Sequence, residues 1–377
     1  MDKISVFGCK EYNSDLLDEV IEKHFLALDE NGTIIKDGAK VVIKPNLLIK
    51  RNPEDATTTH PKFMEAIIKA VQKRGGIVTI AESPGGPYTK SMLKSVYSGT
   101  GMEEVAKKTG AILNYETGYS VLNTKNGKVC TSFNIIDPIK NADIIISVAK
   151  LKTHAMTNMT CAVKNMFGSV PGLLKPEFHF RFPQKELFGE MLVDLCETVR
   201  PQISFVDAIV GMEGNGPSGG NPRFLGVTFA GLNPHAVDLF AANLIGFKTD
   251  DVPTLKAAIK RALCSENIFE LEICGDDYKK FEAHDFKKPD SREAGFIEKL
   301  PFFIRNPIVA FVTPKPVIRK KDCIGCGKCA ESCPKQAIKI LNKKAIIDYS
   351  KCIKCYCCHE MCPVKSIDIK RLRLLGK

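Results

Sequence analysis

The chain has 377 residues, 44% of them hydrophobic and 26% charged, with 15 cysteines and no tryptophan. That apolar content can bury one large core or two medium ones beside a small module, and no stretch approaches the ~20 consecutive apolar residues of a membrane span. The formal net charge of +11 is lopsided: residues 318–377 hold 15 Lys and Arg against 5 Asp and Glu, while the first 317 carry 39 against 38. Without a helix-turn-helix pattern or an aromatic-studded basic groove, the excess does not read as a nucleic-acid interface.

Residues 1–299 alternate strand and helix patterns. ISVFGC predicts a strand, SDLLDEVIEKHFLALDE a helix, KVVIKPNLL a strand, PKFMEAIIKAVQKRGG a helix opened by proline and closed by glycines, and IVTIAES a third strand. ADIIISVAKLK, ISFVDAIVGMEG and FLGVTFAGL predict further buried strands, with KELFGEMLVDLCETVR and HAVDLFAANLIGF as amphipathic helices. This alternation implies an α/β domain built on a largely parallel sheet.

In such sheets ligands bind at the carboxyl ends of strands, and polar residues fall there. Lys44 and Asn46 end one strand, His60 precedes the next helix, and Glu82 and Ser83 end the third strand. Lys150, Lys152 and His154 follow ADIIISVA, Lys164 and Asn165 come in TCAVKNMFGSVPG, and Asp207, Glu213 and Asn215 belong to VDAIVGMEGNG. Lysines converging in otherwise apolar segments suggest a small anionic substrate, a carboxylate or a phosphate. Gly214, Gly216 and Gly219 spell G-x-G-x-x-G, but Pro222 and another strand follow where a dinucleotide loop must open a helix. A glycine-rich substrate loop is the expectation there.

Residues 300–318, LPFFIRNPIVAFVTPKPVI, read as a proline-broken apolar linker to a C-terminal module at 319–377. In that module Cys323, Cys326, Cys329, Cys333 and Pro334 give C-x-x-C-x-x-C-x-x-x-C-P, and Cys352, Cys355, Cys358, Cys362 and Pro363 repeat it twenty-nine residues later. This is the spacing of two-cluster bacterial ferredoxins, in which the fourth cysteine of each run ligates the other cluster. One 4Fe-4S cluster is therefore assigned to Cys323, Cys326, Cys329 and Cys362, and the second to Cys352, Cys355, Cys358 and Cys333. Zinc is the alternative, but zinc sites pair C-x-x-C motifs across a longer spacer. Cys357 is left over beside a cluster, and the other six cysteines read as small buried hydrophobes. Without a recognisable secretory leader, the chain reads as cytoplasmic and reduced, in a cell poor in oxygen.

KPN, THP, AESPGG, SVAKLKTH, TCAVKNMFGSVPG, VDAIVGMEGNGPSGG and NPHAVDLFAANLIG resemble the uncharacterised family DUF362 over roughly residues 1–275. Members often carry a C-terminal two-cluster ferredoxin module. His154, Lys164 and His179, spaced ten and fifteen apart, are also similar to lactate racemase and its relatives. There a histidine is followed by a lysine that tethers a nickel-pincer nucleotide and then by a nickel-binding histidine. MTNMTCAV departs from the small residues and arginine that precede that lysine, so the likeness implies a fold, two α/β lobes around a cleft, more than it implies nickel.

Together these readings predict an iron–sulfur electron-transfer protein or oxidoreductase. Its clusters exchange electrons with an anion-binding cleft formed by Lys44, Asn46, Lys150, Lys152, Asn165, Asp207, Glu213 and Asn215. His60, His154, Lys164 and His179 are the candidate catalytic groups, the histidines as proton donors. The basic module would steer an acidic donor, a ferredoxin or flavodoxin. The alternatives are a ferredoxin fused to a docking domain without chemistry, and a metal or cofactor maturation factor.

Overall fold

In a computed structural model the described residues are 1–290 and 313–370. Among these residues the large domain carries eleven strands: β1 (Lys3–Gly8), β2 (Lys40–Pro45), β3 (Ile77–Ile80), β4 (Ile112–Leu113), β5 (Tyr119–Asn123), β6 (Ser132–Ile136), β7 (Ile144–His154), β8 (Asn158–Thr160), β9 (Ile203–Glu213), β10 (Asn221–Gly231) and β11 (Glu272–Gly275). The main sheet runs β11-β1-β10-β9-β7-β2-β3-β4, with β8 paired to the end of β7. From β9 to β4 every pairing is parallel, which confirms the α/β class. The apolar runs are continuous because helices cover both faces: all eleven residues of β7 are buried.

Local sequence sets the elements. Helix Ser14–Leu28 starts where the Asn13 side chain accepts from the Asp15 and Leu16 amides, and it buries Leu17, Val20, Ile21, His24 and Phe25 along one stripe. Helix Pro61–Lys73 has Pro61 at its first position and the His60 ring as its cap. From β2 the chain winds outward to β3 and β4, then returns to place β7 on the other side of β2 and continues to β9. The winding therefore reverses between β2 and β7, and a crevice opens beyond their carboxyl ends.

In the C-terminal module β12 (Lys315–Ile318) pairs with β15 (Ile367–Lys370), and β13 (Ile338–Leu341) with β14 (Lys344–Ile347), both antiparallel. Of the expected linker, residues 300–312 lie outside the described residues, and its last four residues form β12. The sequence repeat is also a backbone repeat. Left-handed residues recur at Gly325 and Lys354, at Gly327 and Tyr356, and at Gln336 and Lys365.

The module packs against the crevice. Arg51 donates to the Cys362 and Pro363 carbonyls at 2.7 and 2.5 Å, and Ser218 donates to the Glu360 carbonyl at 2.9 Å. The glycine loop after β9 seats it: the Asn215 carbonyl lies 2.9 Å from His359 Nε2, and a side chain at Gly219 would meet the His359 ring. The loop joins two strands, as its following sequence predicts, and its small residues serve close approach between the domains.

Candidate functional site

The crevice encloses a cavity of about 90 Å³ between the carboxyl ends of β2, β3 and β7 and the module's short helix Cys357–Glu360. Six of the expected residues line it: Asn46, Lys152, His154, Lys164, Asn165 and His179. Lys44 sits immediately behind, fully buried and ion-paired with Glu82, and it also donates to Asn165 Oδ1 at 3.2 Å. Burial pushes the Lys44 ammonium down and the Glu82 carboxyl up, while each counters the shift of the other. Gly168 backs onto this pair so closely that a Cβ would strike both groups.

The cavity's other cations differ in their partners. Lys152 donates to Asn46 Oδ1 at 2.7 Å and to the Thr57 carbonyl at 2.6 Å. Lys175 donates to the Ser83 carbonyl at 2.7 Å. Burial pushes both ammonium groups down to about 7. Lys164 has no hydrogen bond or ion pair within the described residues; its Nζ lies 5.2 Å from the Phe167 ring centre and 5.9 Å from that of Phe188. Burial lowers its pKa as well.

His154 has a fixed tautomer. Its Nδ1 accepts from the Met156 and Thr157 amides at 3.0 and 3.3 Å, so the neutral ring carries its proton on Nε2. Nε2 is 3.1 Å from Glu360 Oε1 but poorly aligned with it, and neither atom has a hydrogen bond among the described residues. Burial holds His154 down at about 4 and His179 at about 3, with Lys164 adding to both. Both imidazoles are neutral near pH 7. Burial pushes Glu360 up, but His154, Lys164 and His179 outweigh it and hold this carboxylate well below the usual range.

The remaining expected residues lie elsewhere. Lys150 Nζ bonds Asp207 Oδ2 and Tyr12 Oη, both at 2.9 Å; Tyr12 donates to Asp207 Oδ1 at 2.7 Å, and its ring stacks on His60 at 3.6 Å. The backbone amide of His60 donates to Asp207 and its ring caps a helix, so these groups form a second buried cluster that is satisfied internally. The register of β7 against β9 shifts between Lys150, which lies opposite Asp207, and Lys152, which lies opposite Met212. Glu213 accepts from the Lys287 amide, and Asn215 bonds Asp290 while its carbonyl meets the module.

Two residues escaped the sequence reading. Lys175 stands one helical turn before His179, and that spacing in LLKPEFH was the available signal. Glu360 lies inside the second cysteine run, and nothing in its neighbours shows that it faces another domain. Glu82 was placed at its strand end but not among the ligand groups.

The thiols of the module line two separate cavities. Cys323, Cys326, Cys329 and Cys362 line one apolar cavity, and Cys333, Cys352, Cys355 and Cys358 line a second. The thiols ring these cavities instead of converging on a point: among the described residues no three His, Cys, Asp or Glu side chains could hold a single ion. The Ala337 amide lies 3.2 Å from Cys333 Sγ and the Ser366 amide 3.2 Å from Cys362 Sγ, as expected for donors to cluster thiolates. The residues fit two cubane clusters, which when bound supply one-electron transfer. Cys357 begins the short helix, is buried, and lines both the second cavity and the Lys/His cavity.

Comparison with known proteins agrees with this division. The family model "Domain of unknown function (DUF362)" matches residues 41–243, and a 4Fe-4S dicluster domain matches residues 315–363. The "Thylakoid-associated protein sll1697" of Synechocystis is 29% identical over 323 residues, covering 81% of this chain and 97% of that protein. Among solved structures, the lactate racemase apoprotein from Thermoanaerobacterium thermosaccharolyticum aligns with a TM-score of 0.43 and 11% identity, over 65% of this chain and 57% of that one. A Thermotoga maritima protein solved by structural genomics gives 0.35 and 10%, over 58% and 55%. No described helix is long and apolar enough to cross a membrane. The chain thus belongs to the DUF362 family and joins that domain to a 4Fe-4S dicluster ferredoxin domain that supports iron–sulfur electron transfer.

Proposed function

We propose that this protein is an oxidoreductase of an oxygen-poor cytoplasm, in which two 4Fe-4S clusters pass single electrons to or from a small anion held in the Lys/His cavity. The observation that carries the reading is the placement of Cys357, in the wall between the second cysteine cavity and the Lys/His cavity. A docking domain without chemistry has no need for partly solvated lysines beside a cluster. Lys152 and Lys175 bind the anion, Lys164 faces it, and neutral His154 donates a hydrogen bond from Nε2. Lys150, Asp207 and His60 hold β7, β9 and the helix at 61–73 in register.

Thermal-shift and calorimetric titration with oxalate and inorganic phosphate test the site. Each charge-assisted hydrogen bond to the anion is worth about 1.5–3 kcal/mol, so Lys152→Ala and Lys175→Ala should each weaken binding about ten- to a hundred-fold. If neither anion stabilises the wild type, the cavity is not an anion site. Because burial pushes both ammonium groups down to about 7, affinity should fall as pH rises through that value, with proton uptake on binding. An affinity unchanged between about pH 6 and pH 8 contradicts the assignment of these two lysines.

Electrons are exchanged with a partner at the first cysteine quartet, where Cys326 and Ile324 are exposed among the exposed Lys320, Lys321, Lys328 and Lys343. An acidic ferredoxin or flavodoxin fits this rim. Its rate of electron exchange should drop as salt rises, because the Debye length shrinks from ~10 Å at 0.1 M to ~3 Å at 1 M. A salt-independent rate would leave these lysines as ordinary surface.

A further inference from the structure

Five lysines surround the crevice, Lys44, Lys150 and Lys152 buried and Lys164 and Lys175 partly exposed, and four have oxygen partners. Lys44 is matched by Glu82, Lys150 by Asp207, Lys152 by Asn46 and Thr57, and Lys175 by Ser83. Lys164 is the exception within the described residues: its amine stands in the cavity between two phenylalanine rings, with no carboxylate in ion-pair range. The same cavity presents His154 Nε2–H and Glu360 Oε1, which face each other at 3.1 Å and have no other partner among the described residues. A lysine without a counter-ion, set against aromatic rings and beside other cations, is a setting in which an amine stays neutral and acts as a nucleophile.

We infer that Lys164 is a covalent catalyst that forms an imine with a small 2-oxo acid whose carboxylate is held by Lys152 and Lys175. This rests on the reading of the cavity as an anion site and names the substrate class. Lys164 Nζ adds to the carbonyl carbon to give a carbinolamine. The carbonyl oxygen then leaves as water with the two amine hydrogens while the C=N bond forms, with no change of oxidation state. His154 Nε2–H is placed to polarise the carbonyl oxygen, and the Glu360 carboxylate supplies the counter-charge when the imine is protonated. Burial that lowers the Lys164 pKa favours the neutral amine needed for the first step.

Pyruvate is the probe, with sodium cyanoborohydride added to the intact, cluster-loaded protein and the adduct located by mass spectrometry of peptides. The expected result is a carboxyethyl group on Lys164, formed about ten-fold or more faster than on any surface lysine because a protonated surface amine is not nucleophilic. Acetone, which lacks the carboxylate, should label it at least about ten-fold more slowly. Lys164→Arg should retain the iron–sulfur absorption and lose the adduct. In the wild type, oxalate should protect Lys164 from pyruvate, a readout that needs no variant. Labelling confined to surface lysines, or labelling of Lys164 that oxalate does not slow, overturns the inference. If oxalate binds and Lys164 remains unlabelled, the imine fails and the anion site stands. If oxalate does not bind at all, the anion site fails with it.

Discussion

Cys333→Ser should damage the cluster whose other three ligands lie in the second motif, and Cys362→Ser the one built on the first motif. The expectation follows from the two cavities, since Cys333 lines one with Cys352, Cys355 and Cys358, and Cys362 lines the other with Cys323, Cys326 and Cys329. A serine alkoxide is a poor substitute for a thiolate, so each variant should fall from about eight irons per chain toward about four. Cys357→Ser should keep about eight, because Cys357 stands outside both quartets. Iron analysis and electron paramagnetic resonance of the anaerobically purified variants check this. Loss of a whole cluster in Cys357→Ser would contradict the ligand register.

Glu82→Gln should destabilise the large domain severely. Lys44 is fully buried, and Glu82 is its only ion-pair partner among the described residues. Removing one member of a buried pair leaves an uncompensated charge and costs about 3–5 kcal/mol, or on the order of 10 °C in melting temperature for a domain of this size. Replacing both partners together, Lys44→Met with Glu82→Leu, should recover much of that loss because no charge is left stranded. Thermal melts of the three variants decide it. A single variant that melts with the wild type would mean that Lys44 is neutral in the folded protein.

The sequence made the strand order's consequences visible before its geometry. Lys44, Asn46, Lys152 and His154 were legible because parallel strands end in ligand sites, and the cysteine division because its spacing carries the crossing rule. Lys150 was misleading: its register on β9 sets it opposite Asp207, which together with Tyr12 takes up its ammonium group. His60 looked like a proton donor, but its ring is spent on capping a helix and stacking on Tyr12. Glu360 was illegible because its meaning arises from docking: one carboxylate inside a cysteine motif becomes the cavity's counter-charge once the module packs on the crevice. Gly219 is similar, since the requirement for a small residue comes from His359 more than a hundred residues away.

If the second cluster and the Lys/His cavity are one functional unit across a shared wall, charge bound in the cavity must be felt at that cluster. A redox titration followed by electron paramagnetic resonance, with and without saturating oxalate, tests it most directly. Placing anionic charge beside the second quartet should lower the potential of that cluster by tens of millivolts, about 30 mV or more, while the first shifts much less. Lys152→Ala should require correspondingly more oxalate for the same shift. Equal potentials for both clusters with and without bound oxalate would contradict the account.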